Sequence, residues 1–106
     1  MHELTDETFE AAVQDDNGGP SVVKVWAPWC GPCKQIAPKV EYMATEYVGK
    51  AMFFGLNVDE NKDTAREYGV QSIPTFLVFD ADGELATTVV GSDLDEMREA
   101  LDAVID

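Results

Sequence analysis

Trp29-Cys30-Gly31-Pro32-Cys33 holds both cysteines of this 106-residue chain, separated by a Gly-Pro spacer. A structural zinc site takes about four ligands, and the lone His2 is the only other candidate. Small secreted domains built on disulfides use more cysteines, spread further along the chain. A two-residue spacer suits neither purpose. It suits a dithiol that closes reversibly into a small ring, so redox exchange is the first reading.

Working outward, the residues just before the pair, Val22, Val23, Val25 and Trp26, form a nearly continuous apolar run. That pattern belongs to a strand buried on both faces. After the pair the period turns helical, with Ile36, Val40, Met43 and Tyr47 on one face and Pro38 inside, where it should kink the helix. A second buried strand is expected over 52–58, a short helix over 62–68 stopped by Gly69, and a third strand over 75–79. Asp80-Ala81-Asp82-Gly83 turns the chain into an antiparallel strand over 85–90. A last helix carries Leu94, Met97, Leu101, Val104 and Ile105. Upstream, Thr5 is expected to cap a first helix bearing Phe9 and Val13, closed by the breakers of 15–20. The order predicts an α/β fold: a central mixed sheet flanked by helices, in a single domain over 1–106. The reactive pair falls at the carboxyl end of a central strand, where open α/β sheets place their sites.

Charge narrows the function classes. Twenty-one Asp and Glu against seven Lys and Arg give a formal charge of −14. Such a field repels nucleic acid and anionic lipid, so neither is an expected partner. It also suits a halophilic source, because molar salt screens charges within about 3 Å. No run approaches the roughly 20 apolar residues of a membrane span. The first seven residues lack the basic and apolar segments of a secretory signal, so a cytoplasmic location is expected. In a reducing cytosol a lone disulfide is more often catalytic than structural.

Taken together, these segments resemble the thioredoxin family over essentially the whole chain. The residues that carry the resemblance are Trp26-Ala27-Pro28-Trp29-Cys30-Gly31-Pro32-Cys33-Lys34, Ala37-Pro38, Leu56-Asn57-Val58-Asp59, Gly69-Val70-Gln71-Ser72-Ile73-Pro74-Thr75 and Val90-Gly91. A bare CxxC is a weak signal, whereas WCGPC followed by Ile-Pro-Thr between the expected strands is a strong one. The resemblance implies a thioredoxin fold and protein disulfide reduction, with recycling by a thioredoxin reductase. The brief start before Leu4 implies a short first edge strand, or none.

Helix geometry supplies the chemistry. Cys30 should sit at the mouth of the helix and Cys33 within its first turn, about 5–6 Å away at Cβ. Unpaired N–H groups at the helix start favour a thiolate on Cys30, and the thiolate is the attacking species. Cys30 would therefore be the nucleophile and Cys33 the resolving thiol. Pro32 limits the spacer without losing a needed hydrogen bond, and by resemblance favours a reducing potential. Trp29 is expected as an exposed platform over the exchange and Trp26 as core. Ile73-Pro74 reads as a turn by pattern alone, while the resemblance implies a cis bond. Gly31, Pro32, Ile73, Pro74, Val90 and Gly91 would then form a small uncharged patch for docking disulfide-containing proteins and the reductase. Monomeric action without cofactor or metal is expected. Asp59 matches a family aspartate, although a turn carboxylate explains it equally well.

Lys24 departs from the family pattern. Many thioredoxins hold a buried aspartate at this strand position, beneath the second cysteine, often with a lysine on the neighbouring strand. Here those positions are Lys24 and Gly55. A lysine in an apolar central strand also stands out by itself, because an unpaired buried ammonium is costly. Its stem can pack while the amine reaches solvent or an acidic partner through room left by Gly55. Alternatively it modulates Cys33 by positive potential or as a neutral amine base. Two rivals to the reductase reading are an oxidant or isomerase on the same fold, and a binding module gated by the dithiol.

Overall fold

A computed structural model describes residues 1–15 and 19–105. Five strands form one sheet in the order β1-β3-β2-β4-β5. They are β1 (His2–Leu4), β2 (Ser21–Trp26), β3 (Met52–Asn57), β4 (Thr75–Phe79) and β5 (Leu85–Val90). β1, β3 and β2 run parallel, whereas β4 and β5 pair antiparallel, which makes the sheet mixed as expected. The helices are α1 (Phe9–Val13), α2 (Gly31–Glu46), α3 (Lys62–Glu67) and α4 (Leu94–Val104). The first edge strand exists, at three residues.

Alternation along β2 divides the core between two faces. Val22 packs with Ile36, Val40, Phe76, Met97 and Leu101 beneath α2 and α4. Val23 and Val25 pack with Leu4, Phe9, Val13, Leu56, Leu77 and Phe79 on the opposite face. Phe9 and Tyr68 close that second layer through ring contacts to Phe79, at centroid separations of 5.7 and 5.6 Å. Gly69, with φ at 66°, takes the left-handed conformation that ends α3.

Two local expectations need correction. Thr5 caps the turn that leads into α1 rather than the helix itself: its hydroxyl accepts from Thr8 N–H at 3.2 Å, its carbonyl accepts from the N–H groups of Thr8 and Phe9, and the helix begins at Phe9. The neighbouring Asp6 is engaged elsewhere, accepting hydrogen bonds from the Thr64 backbone N–H (2.9 Å) and hydroxyl (2.6 Å) at the start of α3. Those bonds, the hydroxyl first, hold the Asp6 carboxyl below its ordinary value. Trp26 is half-buried rather than core, because its indole N–H reaches the sheet edge and donates to Glu3 Oε1 at 2.9 Å. Of the breaker stretch expected to close α1, Asp16, Asn17 and Gly18 lie outside the described residues.

Candidate functional site

β2 delivers the chain to the site and α2 begins at it. Cys30 is the N-cap of α2, with extended backbone, and Pro32 occupies the first turn, where its missing N–H costs nothing. Cys30 and Cys33 are joined as a disulfide with Cα atoms 5.3 Å apart. The Cys33 backbone N–H donates to Cys30 Sγ at 3.2 Å, and the Cys30 carbonyl accepts from Lys34 N–H at 3.2 Å. In the reduced dithiol the first of these bonds, added to the partial positive charge of a 16-residue helix, stabilises negative charge on Cys30. The two cysteines cluster with Ala27, and Trp26, Val58 and Ile73 pack against that cluster.

The expected docking residues are brought together only in part. Gly31, Pro32 and Val90 are exposed, Ile73 and Gly91 are half-buried, and Pro74 is buried. The Ile73 carbonyl oxygen lies 3.9 Å from Cys30 Sγ, and the Ile73–Pro74 bond is cis. Pro74 thus belongs beneath the patch rather than on it, its carbonyl accepting from Gly91 N–H at 2.8 Å. Trp29 is 68% exposed, consistent with a platform role, and its indole N–H is shared between the two Asp59 carboxylate oxygens, each at 3.1 Å. Asp59 is therefore more than a turn carboxylate: it holds the platform in place. Cys30 itself is only 4% exposed, so a partner must approach over these flanking residues.

The chain matches the thioredoxin family model over residues 1–103. It belongs to the thioredoxin family. Thioredoxin M2, chloroplastic, of Arabidopsis thaliana is 46% identical over 89 residues, covering 84% of this chain and 47% of that protein. The chain thus spans about half the length of this chloroplast relative. A thioredoxin of Staphylococcus aureus is 46% identical over 103 residues, 97% of this chain and 92% of the relative. Among solved structures, Fasciola hepatica thioredoxin superposes with a TM-score of 0.89 at 34% identity, covering 98% and 99% of the two chains. The five-stranded mixed sheet is the thioredoxin fold, and the closed cysteine pair at its helix mouth is a thiol–disulfide oxidoreductase centre.

Within this thioredoxin fold the Lys24 region is rearranged. Lys24 is buried on the α2 face of β2, opposite Gly55 on one side and Phe76 on the other. Glu3 pairs with Gly55 across the next ladder. The room left by Gly55 is filled by the Glu3 carboxylate, which a side chain at that position would overlap. The gap thus holds the Glu3 carboxylate, which is bonded to the Trp26 indole and whose charge acts on Lys24. Lys24 Nζ lies 5.7 Å from the Trp26 ring centroid. Burial pulls the Lys24 amine below its ordinary value, while the charges of Glu3 and Glu41 act in the opposite direction. Glu3 escaped the sequence reading because only strand register places it here. Among the described residues no three His, Cys, Asp or Glu side chains converge as a metal site, and no helix is long and apolar enough to cross a membrane.

Proposed function

We propose that this chain reduces protein disulfides by exchange through Cys30 and Cys33 and is itself reduced again by a thioredoxin reductase. The observation that carries the reading is the Cys33 N–H on Cys30 Sγ at the helix N-cap, which favours a thiolate at the sulfur a substrate meets first. The Cys30 thiolate attacks a substrate disulfide and forms a mixed disulfide, releasing one substrate thiolate. Cys33 then attacks Cys30 Sγ, releases the second substrate thiol and leaves the closed pair. Two electrons pass from the dithiol to the substrate, and no bound cofactor is needed. Trp29, Gly31, Pro32, Ile73, Val90 and Gly91 form the docking rim, and Pro74 supports it from below.

We read residues 1–106 as one domain acting as a monomer in the cytoplasm, where a reducing pool lets a lone pair cycle. The acidic surface supports a halophilic setting. The melting temperature should then rise between low and molar KCl as self-repulsion is screened, and a flat or falling trend would exclude it.

Turnover of a generic disulfide protein with a chemical reductant tests the enzyme reading. The parent should turn over, Cys30→Ser should be inactive, and Cys33→Ser should accumulate a mixed disulfide through Cys30. Equal rates for all three would leave only a binding module.

A further inference from the structure

Beside the disulfide lies a cavity of about 190 Å³ that the exchange reaction leaves without a role. Cys33, Ala37 and Glu41 line it from α2, at i, i+4 and i+8, so they share one helix face. Lys24 and Trp26 line it from β2, and Met1 and Glu3 from the edge of the sheet. Ala37, the small residue of the helix stripe, contributes a short wall between the cysteine and the carboxylate. Lys24 is 6% exposed, whereas Glu3 and Glu41 are exposed at the rim. The resolving sulfur and the buried ammonium therefore share one small compartment, bordered by two carboxylates.

We propose that Lys24 is a positioning residue for the resolving step, its ammonium stabilising the Cys33 thiolate across this cavity while Glu3 and Glu41 keep the ammonium charged. The inference rests on reading Cys33 as the resolving thiol. In that step the Cys33 thiol loses its proton to solvent at the cavity, whose largely apolar wall carries the charged ends of Lys24, Glu3 and Glu41 and whose volume admits water. The thiolate then attacks Cys30 Sγ. The Cys33–Cys30 bond forms as the bond from Cys30 to the substrate sulfur breaks, and that sulfur leaves with the electron pair and takes up a proton. A fixed positive charge helps the ionisation, the one part of this sequence that creates charge at Cys33.

Every charged group facing the compartment has a definite sign of effect. Lys24 and Lys34 favour the thiolate, while Glu3 and Glu41 oppose it directly. The charges of the two carboxylates also oppose the lowering of the Lys24 amine that burial causes. β3 contributes only Gly55 to this row, and β4 only Phe76. The arrangement puts a buried cation in the same cavity as the resolving cysteine, with the two acids at its rim.

The test titrates Cys33 as the sole thiol of a Cys30→Ser chain, by thiolate absorbance against pH. Lys24→Met should raise the Cys33 midpoint by about one unit, and Lys24→Arg should hold it near the parent value. Glu3→Gln keeps an acceptor for the Trp26 indole but removes the charge, so it should lower the midpoint. Resolution of a mixed disulfide by Cys33, in chains with both cysteines, should slow about threefold in Lys24→Met. The effect is smaller than tenfold because a thiolate that is harder to form is also more nucleophilic. An unmoved or lowered midpoint in Lys24→Met overturns the inference, as does a Glu3→Gln shift of the same sign as Lys24→Met. Turnover of the parent, run in parallel, separates the failures. A working parent with unmoved midpoints loses only the Lys24 assignment, whereas an inactive parent removes the reductase reading and this inference with it.

Discussion

The two faces of β2 carry opposite kinds of side chain over the same six residues. On one face Val23 and Val25 are fully buried against Leu56, Leu77 and Phe79, and the buried polar side chains beside them, Ser21 and Thr75, carry no charge. On the other, Val22 is equally dry, but Lys24 and then Trp26 follow it toward the site, each in electrostatic reach of Glu3. The strand thus changes from packing to chemistry along one face only. A dry face tolerates little change in volume and is indifferent to pH. The other face accepts a charge at some expense in stability, because the charge lies next to the sulfur that must ionise.

Truncation on the dry face should give the largest effect in stability and the least in chemistry. Leu77 is fully buried and faces Val23 across the ladder. Leu77→Ala removes apolar contacts and leaves a cavity, which costs about 2–5 kcal/mol. Denaturant unfolding should show that loss, while turnover per folded molecule below the transition stays within about twofold of the parent. A large fall in turnover of the folded fraction would mean that the two faces are not independent.

Lys24→Met should reverse the pattern, slowing resolution while leaving the fold slightly more stable. The Lys24 amine lies below the ordinary lysine value of 10.5 in the folded chain, chiefly through burial. Between the folded and unfolded values the unfolded chain binds more protons, so parent stability rises with pH across that window. Below the window, at neutral pH, the parent carries the full cost of burying the ammonium. The variant's advantage, on the order of a few degrees in Tm, should therefore be greatest at neutral pH and shrink as pH rises toward 10.5. An advantage that grows with pH would contradict the placement of the charge.

The same contrast explains what could be read from the sequence. Val22 to Trp26, Met52 to Val58 and Thr75 to Phe79 announced their strands because burial on both faces leaves a nearly continuous apolar run. The dithiol was legible because two cysteines at that spacing, flanked as they are, serve few other purposes. Lys24 was conspicuous for the converse reason, as a charge where the pattern forbids one. Its partner was not. Glu3 lies in a three-residue edge strand, and only the register Glu3–Gly55–Lys24 brings it near. Thr5 was legible as a capping residue, since its hydroxyl takes the Thr8 N–H, whereas the bond from Asp6 to Thr64, 58 residues away, was not. Pro74 was placed on the patch by analogy, whereas its burial depends on how the loop folds beneath Gly91.

Gly55→Ala should give the smallest change in stability and still move the chemistry. The three atoms nearest the added carbon all belong to the carboxylate end of Glu3, a flexible and exposed side chain, and Gly55 is not among the glycines with positive φ. Glu3 should swing outward, giving up its hydrogen bond from the Trp26 indole at a cost of about 0.5–1.5 kcal/mol. Replacing glycine stiffens the unfolded chain and returns about 0.4–1 kcal/mol, so the net change should fall within about 1 kcal/mol. With Glu3 displaced, the cavity becomes more positive and the Cys33 midpoint should fall, in the direction of Glu3→Gln but by less. Stability near that of the parent together with a lowered midpoint would locate the control of Cys33 in the charge row itself. A parent-like midpoint would mean that Glu3 does not act across Gly55.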